Sequence, residues 1–333
     1  MKTNKNLINN KNIFLIYILY VLSFYFIDWT VDWDNYDYLL YHIEDYDTDF
    51  IYTKISEVAF KYRLKYEDVY KFHILIEGIF FSLFINKITD KPFVPTIFFI
   101  LLNFVNVANQ IRFFVGLFMF LYGMTFYKKN VYVYYILGII ACLNHITLII
   151  LFFLIPFRTF LLNISLKNYI LVVLFTMILL PYLSHLVPSF LSLFTKYLSD
   201  YNQSSLFGGI FMLFPVLFYA VIYFKIENSR KQRIFTVFSL QQLKLILCAF
   251  SFIVIPLSLT FHIFSHRFIF PFILSWTIYL FENWKTNKKN FKICLLGVFS
   301  ILWFYLASEM ILGYSYYWDN LKVMFGLKSY LNV

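Results

Sequence analysis

The sequence predicts an all-α polytopic membrane protein of about 10–11 transmembrane segments, including a re-entrant or broken helix pair near residue 145. Three observations carry this fold class. Hydrophobic residues make up 61% of the 333-residue chain and charged residues 14%, with a mean hydropathy of +0.70; soluble domains carry about 25% charge. Apolar runs close to the ~20 residues of a bilayer crossing recur from end to end. Basic residues cluster between those runs, as they do in cytoplasmic loops. The net charge of +10 therefore orients the chain in the bilayer and does not point to nucleic acid. One integral membrane domain over residues 1–333 is expected, with no separate soluble module.

The first eleven residues place lysines before an apolar run, the layout of a signal peptide. No small-residue cleavage site follows, only Asp28-Trp29, so residues 13–27 read as an uncleaved first span. Residues 28–71 form the only long polar stretch and hold 11 of the 18 acidic residues, which makes them an extracytoplasmic loop. Span two covers residues 72–85 and ends at Lys87 and Lys91. Span three covers 92–107, and span four covers 111–127, ending at Lys128-Lys129. Later spans are expected at 169–187, 208–224, 243–261, 268–281 and 291–312.

Residues 131–157 need separate treatment. They carry no charge and have one central polar break, Leu143-Asn144-His145-Ile146-Thr147. If the segment crosses once as a tilted helix, the basic groups at 225–233 and 285–292 fall outside. If it dips in and returns as two half-length helices hinged near His145, every basic cluster lies inside. That arrangement puts 18 of the 28 Lys and Arg in the cytoplasm and the acidic loop outside, in agreement with the positive-inside bias. A broken helix at membrane depth needs protein or water to satisfy its backbone, so a cavity is expected at His145.

The three cysteines, Cys142, Cys248 and Cys294, lie in apolar runs without CxxC spacing, so neither a disulfide framework nor a metal site is indicated. The chemistry-bearing residues lie elsewhere. Asn109-Gln110-Ile111-Arg112 sets an amide pair and an arginine where an apolar span begins. An arginine there costs several kcal/mol unless it finds a partner or a wet cavity. In the re-entrant topology Arg112, Arg267, His145 and the loop carboxylates Asp28, Asp32, Asp34 and Asp37 all face the outer side. Each has a plainer reading as well. Arg112 matches a snorkelling rim residue, His145 a hydrogen-bonded core histidine, and His266-Arg267 a headgroup contact; Asp28 to Tyr38 matches an acidic loop with interfacial aromatics. Taken together they suit a different task. Two guanidinium forks form a cradle for a diphosphate and stabilise charge developing on a leaving pyrophosphate. A carboxylate or histidine opposite them takes a proton from an attacking hydroxyl. Flanking aromatics suit the apolar faces of sugars. The set describes glycan transfer from a polyprenyl diphosphate donor outside the membrane.

At these residues the chain resembles the EpsG/Wzy-like family of bacterial polysaccharide repeat-unit polymerases. The resemblance rests on Asp32-Trp33-Asp34-Asn35-Tyr36 in the first outer loop, followed by the acidic-aromatic pair Asp49-Phe50. It continues with Asn109-Gln110-Ile111-Arg112 opening a span, Asn144-His145-Ile146-Thr147 within an apolar run, and His266-Arg267-Phe268 at a later span start. It extends from about residue 28 to residue 282. Two departures are visible: Phe113, Phe114 and Val115 follow the arginine where the family has small residues, and Asp49 stands where it usually has glutamate. The resemblance implies joining of oligosaccharide units on undecaprenyl diphosphate, for capsule, O-antigen or exopolysaccharide, at the outer face of the bacterial plasma membrane. It implies no metal and no soluble cofactor. By motif position, Arg112 and Arg267 bind the diphosphate, His145 and Asp34 serve the acceptor side, and Tyr36, Gln110, Asn109 and His266 line the substrate. The implied partners are the lipid-linked oligosaccharide, the bilayer, a flippase and a chain-length regulator.

Three other activities fit parts of the pattern. A GT-C-type glycosyltransferase acting on lipid-linked sugars would use Asp28, Asp32 and Asp34 as base or metal ligands. A sugar O-acetyltransferase would depend on acetyl-CoA. A transporter or flippase for a lipid-linked sugar would use the broken helix without cleaving its substrate, although no internal repeat in hydropathy supports that.

Overall fold

A computed structural model describes residues 2–27, 30, 33–42, 49–152, 154–165, 167–168, 170–172, 175, 242–247, 274–275 and 277–279, and all regular structure among them is helical. The chain divides into two compact units, residues 1–153 with 309–333, and residues 154–308. In the first unit α1 (Lys2–Phe24), α2 (Trp33–Tyr41), α3 (Phe50–Tyr62), α4 (Tyr66–Ile88), α5 (Phe93–Asn109), α6 (Ile111–Met124) and α7 (Val131–Asn144) follow in order. A 3₁₀ turn (Ile146–Leu148) and α8 (Ile149–Phe152) come next. The second unit contains α9 (Arg158–Asn163).

Helix α6 is apolar on every side, and a helix of that kind is buried. All of its residues except Arg112 and Tyr122 are buried. Around it the neighbours pack through glycines and aromatic rings. Helices α1 and α4 run antiparallel: Tyr70 Oη donates to the Phe24 carbonyl at 3.3 Å, and Tyr20 Oη donates to Glu77 Oε2 at 2.8 Å. A Cβ at Gly78 would come within 3.1 Å of Tyr17 and Val21, so glycine sets this close approach. Phe81 joins α4 to α6 and α5, with its ring 5.0 Å from Phe118 and 5.3 Å from Phe99. Such ring pairs contribute ~0.5–1.5 kcal/mol each beyond the area they bury. Gly116 and Gly123 make the second seam, against Ala141 and Asn144 near one end and Leu137 near the other, so α6 and α7 are also antiparallel.

The described residues of the polar stretch between the first two apolar runs are largely helical. Trp33, Tyr36 and Leu40 recur at helical spacing and place one side of α2 against α3 and α4. Helix α3 ends at Arg63, in the left-handed conformation with φ 55°, and α4 starts with the Lys65 N–H donating to Asp68 Oδ2 at 3.1 Å. This cap extends α4 to Tyr66, six residues ahead of the expected start of span two.

Among the described residues no single helix is long and apolar enough to cross a membrane. One bent pair is, residues 103–109 with Ile111–Met124, turned by 105° at Gln110. The sequence reading has two separate spans here. The structure joins them through one residue, with Gln110 at φ −112° and ψ 46° and its N–H on the Asn106 carbonyl. The apolar run of 131–157 does break at His145, whose backbone is extended (φ −157°, ψ 111°). The chain then folds back. The Phe152 ring lies against Gly138, where a Cβ would meet Cζ at 2.6 Å, and 6.0 Å from the Tyr134 ring. A continuous helix would separate residues 138 and 152 by ~21 Å. The spans expected from residue 169 onward lie outside the described residues, apart from residues 170–172, 175, 242–247, 274–275 and 277–279, which are helical.

Candidate functional site

The α5–α6 junction places Arg112 in the first turn of α6, with its side chain directed toward α2 and α3. The side chain is 17% exposed. Its guanidinium carbon lies 5.0 Å from the centre of the Tyr36 ring and 4.8 Å from that of Tyr52. The two rings are 5.7 Å apart, tilted by 57°, so they form a notch under one cation. Partly desolvated contacts of this kind contribute ~1–2 kcal/mol each. Tyr52 Oη donates to the Tyr36 carbonyl at 3.2 Å, and Tyr36 stacks on Tyr66 at 5.6 Å. Behind them, buried His73 donates from Nδ1 to the Val69 carbonyl at 2.7 Å. Burial pushes the Tyr52 phenol well above the usual tyrosine range, with the Arg112 charge partly opposing it. The Tyr52 hydroxyl is committed to the Tyr36 carbonyl as a donor.

Asp49 closes the group. Arg112 Nη1 donates to Asp49 Oδ2 at 3.2 Å, and the Ile146 N–H donates to Asp49 Oδ1 at 3.1 Å. One carboxylate thus ties α6 to the residue that follows the break at His145. The His145 ring is buried, edge-on to Phe113 at 5.5 Å, with Nδ1 2.8 Å from the Thr147 hydroxyl. Arg112 Nε and Gln110 Oε1 are buried and make no hydrogen bond among the described residues. An ion pair whose guanidinium keeps one buried N–H unbonded among the described residues, floored by two phenol rings, has the chemistry to take an anion with several oxygens.

Arg112, Tyr36, Gln110 and the His145 turn are thus placed together. Asn109 is buried at the end of α5, one residue before the bend. Asp34 is exposed on α2, two residues from buried Tyr36 and so on the opposite side of that helix. Arg267 and His266 lie outside the described residues, as do Asp28 and Asp32. The residues that sequence reasoning left off the site are Asp49 and Tyr52. Asp49 had one signal, its place before Phe50 in the acidic-aromatic pair. Tyr52 had none beyond its helical spacing from Asp49. Among the described residues no three His, Cys, Asp or Glu side chains gather as metal ligands.

Comparison with known proteins adds one match. The model of the EpsG family aligns with residues 10–320. No curated protein and no solved structure matches the chain.

Proposed function

Because the chain belongs to the EpsG family, membrane proteins of polysaccharide biosynthesis, we propose that it polymerises a surface polysaccharide: capsule, O-antigen or exopolysaccharide. It joins undecaprenyl-diphosphate-linked oligosaccharide repeat units by glycosyl transfer at the outer face of the plasma membrane. The observation that carries this reading is the ion-paired Arg112, seated on Tyr36 and Tyr52 and linked through Asp49 to the turn at His145. An anion site beside aromatic rings and a histidine suits a donor that is part phosphate and part sugar.

In this reaction the acceptor hydroxyl oxygen bonds to the anomeric carbon of the donor. The bond from that carbon to the diphosphate oxygen breaks, and its electron pair leaves with undecaprenyl diphosphate. The hydroxyl proton passes to a base. Arg112 and Arg267 hold the diphosphate and stabilise the charge it gains. His145, beside the Asp49–Arg112 pair, serves the acceptor side as the first candidate for the base. Asp34, on the far side of α2 from Tyr36, would need that helix to turn to take the role. Tyr36, Gln110, Asn109 and His266 shape the pocket. The lipid-linked oligosaccharide enters from the bilayer, and a flippase and a chain-length regulator act with the enzyme.

The test is the length of surface polysaccharide in a deletion strain complemented with the wild type, Arg112→Ala or Arg267→Ala. We expect single repeat units in the deletion strain and in both variants, with each variant still accumulating in the membrane. Long chains that lack only a branch sugar or an acetyl group would overturn the reading in favour of another transferase.

A further inference from the structure

We infer that Asp49 is a positioning residue with two roles: a counter-ion that the donor phosphate displaces from Arg112, and the anchor of the turn that carries His145. The inference rests on the reading of Arg112 as a diphosphate ligand and deepens it.

Asp49 does not cap its own helix. It occupies the N-cap place of α3 with extended backbone, φ −63° and ψ 138°. An aspartate there ordinarily bonds to the free N–H groups of its own first turn. The Asp49 side chain makes no such bond. Its two oxygens instead reach Arg112, 63 residues ahead, and the Ile146 N–H, 97 residues ahead. The side chain is only 8% exposed, so neither contact is a casual surface pair. Tertiary structure has drawn this carboxylate away from the nearest donors and fixed it between the two elements that frame the site.

The two contacts respond differently to a ligand. Asp49 holds Arg112 through Nη1, while Nε of the same guanidinium is buried without a hydrogen bond among the described residues. A phosphate entering the fork brings negative charge against the Asp49 carboxylate, and like charges at such a distance repel strongly where water is excluded. The Arg112 contact is therefore the one that yields. The bond to Ile146 involves a neutral N–H and persists, so the His145 turn stays in register while the donor is seated. If Asp49 occupies Arg112 in about nine of ten unliganded molecules, the apparent donor affinity is lowered about tenfold.

Two substitutions separate the roles. Asp49→Asn keeps an oxygen for the Ile146 N–H and removes the competing charge; Asp49→Ala removes both. Full-length protein in lipid nanodiscs is titrated with undecaprenyl diphosphate, and repeat-unit transfer is measured in the same preparation. Asp49→Asn is expected to bind the probe about tenfold more tightly and to transfer several-fold faster than Asp49→Ala. Asp49→Ala is expected to bind tightly as well, yet to transfer at about a tenth of the wild-type rate or less. A residue with a merely structural role would weaken both readouts together. If Asp49→Asn binds the probe no more tightly than wild type, the counter-ion role is overturned and the reading of Arg112 stands. If Asp49→Ala transfers at the wild-type rate, the anchoring role is overturned. A wild-type chain that does not bind undecaprenyl diphosphate overturns both the inference and the reading beneath it.

Discussion

Arg112 keeps its charge inside an apolar helix because several neighbours share the cost of removing it from water. Asp49 supplies the opposite charge, and Tyr36 and Tyr52 offer the negative faces of their rings. Another polar pair in the same unit has no such company. Glu77 is fully buried on α4, takes one hydrogen bond from Tyr20, and has no partner for Oε1 among the described residues. Tyr20→Phe would leave the carboxyl without that donor as well. We expect a loss of about 1–3 kcal/mol of stability, read as a lower melting temperature in detergent, whereas Glu77→Gln retains an acceptor for Tyr20 and melts close to wild type. An unchanged melt for Tyr20→Phe would show that the bond contributes nothing. At this scale the sequence was informative where a residue contrasts with its surroundings. Arg112 stands out because it opens an apolar run. Asp49 lies in a stretch with ten other acidic residues, and beyond the Phe50 that follows it nothing local sets it apart from Asp34; the contact 63 residues away does.

At the scale of elements, the unit depends on how closely α6 and α7 approach. Gly116 makes that approach possible: a Cβ there would lie 2.8 Å from the Ala141 carbonyl oxygen and closer still to the Leu148 side chain. The leucine can move, but the carbonyl belongs to the α7 backbone. Gly116→Ala should therefore destabilise by about 1–3 kcal/mol and shift the turn at Ile146 relative to Arg112. A companion Leu148→Ala change should recover only part of the loss, and full recovery would argue against the backbone contact. The break at His145 was legible because Asn144, His145 and Thr147 interrupt a run that is otherwise free of charge and nearly free of polar groups. The bend at Gln110 was legible as a polar junction, but its 105° angle was not. Hydropathy marks where a helix stops, whereas the direction of the next one is set by packing, here by Phe99 and Phe118 against Phe81.

Among the described residues of the first unit, many large apolar side chains point outward. On α7 the residues Tyr132, Tyr135, Ile136, Ile139 and Leu143 are all exposed and follow helical spacing, while Tyr134, Gly138 and Ala141 face α6. A continuous apolar stripe of this kind on an exposed helix is the surface a bilayer covers. Ile136→Lys would place a charge in that stripe, at a cost of about 2.5–3.5 kcal/mol near mid-membrane. We expect the variant to be depleted from the membrane fraction, while Lys129→Ala, at the end of the preceding turn, should leave accumulation unchanged. Equal accumulation of Ile136→Lys would mean that the stripe faces protein or water. The membrane setting was legible from composition because so few charges leave little surface fit for water, and the helical character from the length of the apolar runs.

Helices α6 and α7 have 14 residues each, a rise of about 21 Å against ~30 Å of hydrocarbon. Helix α6 is enclosed by its neighbours, so of the two only α7 offers side chains to lipid. Starting from the basic turn at Lys128-Lys129 and turning back at His145, it would carry that turn, and the Asp49–Arg112 pair tied to it, about two-thirds of the way across the layer. A diphosphate lipid would then meet Arg112 below the membrane surface.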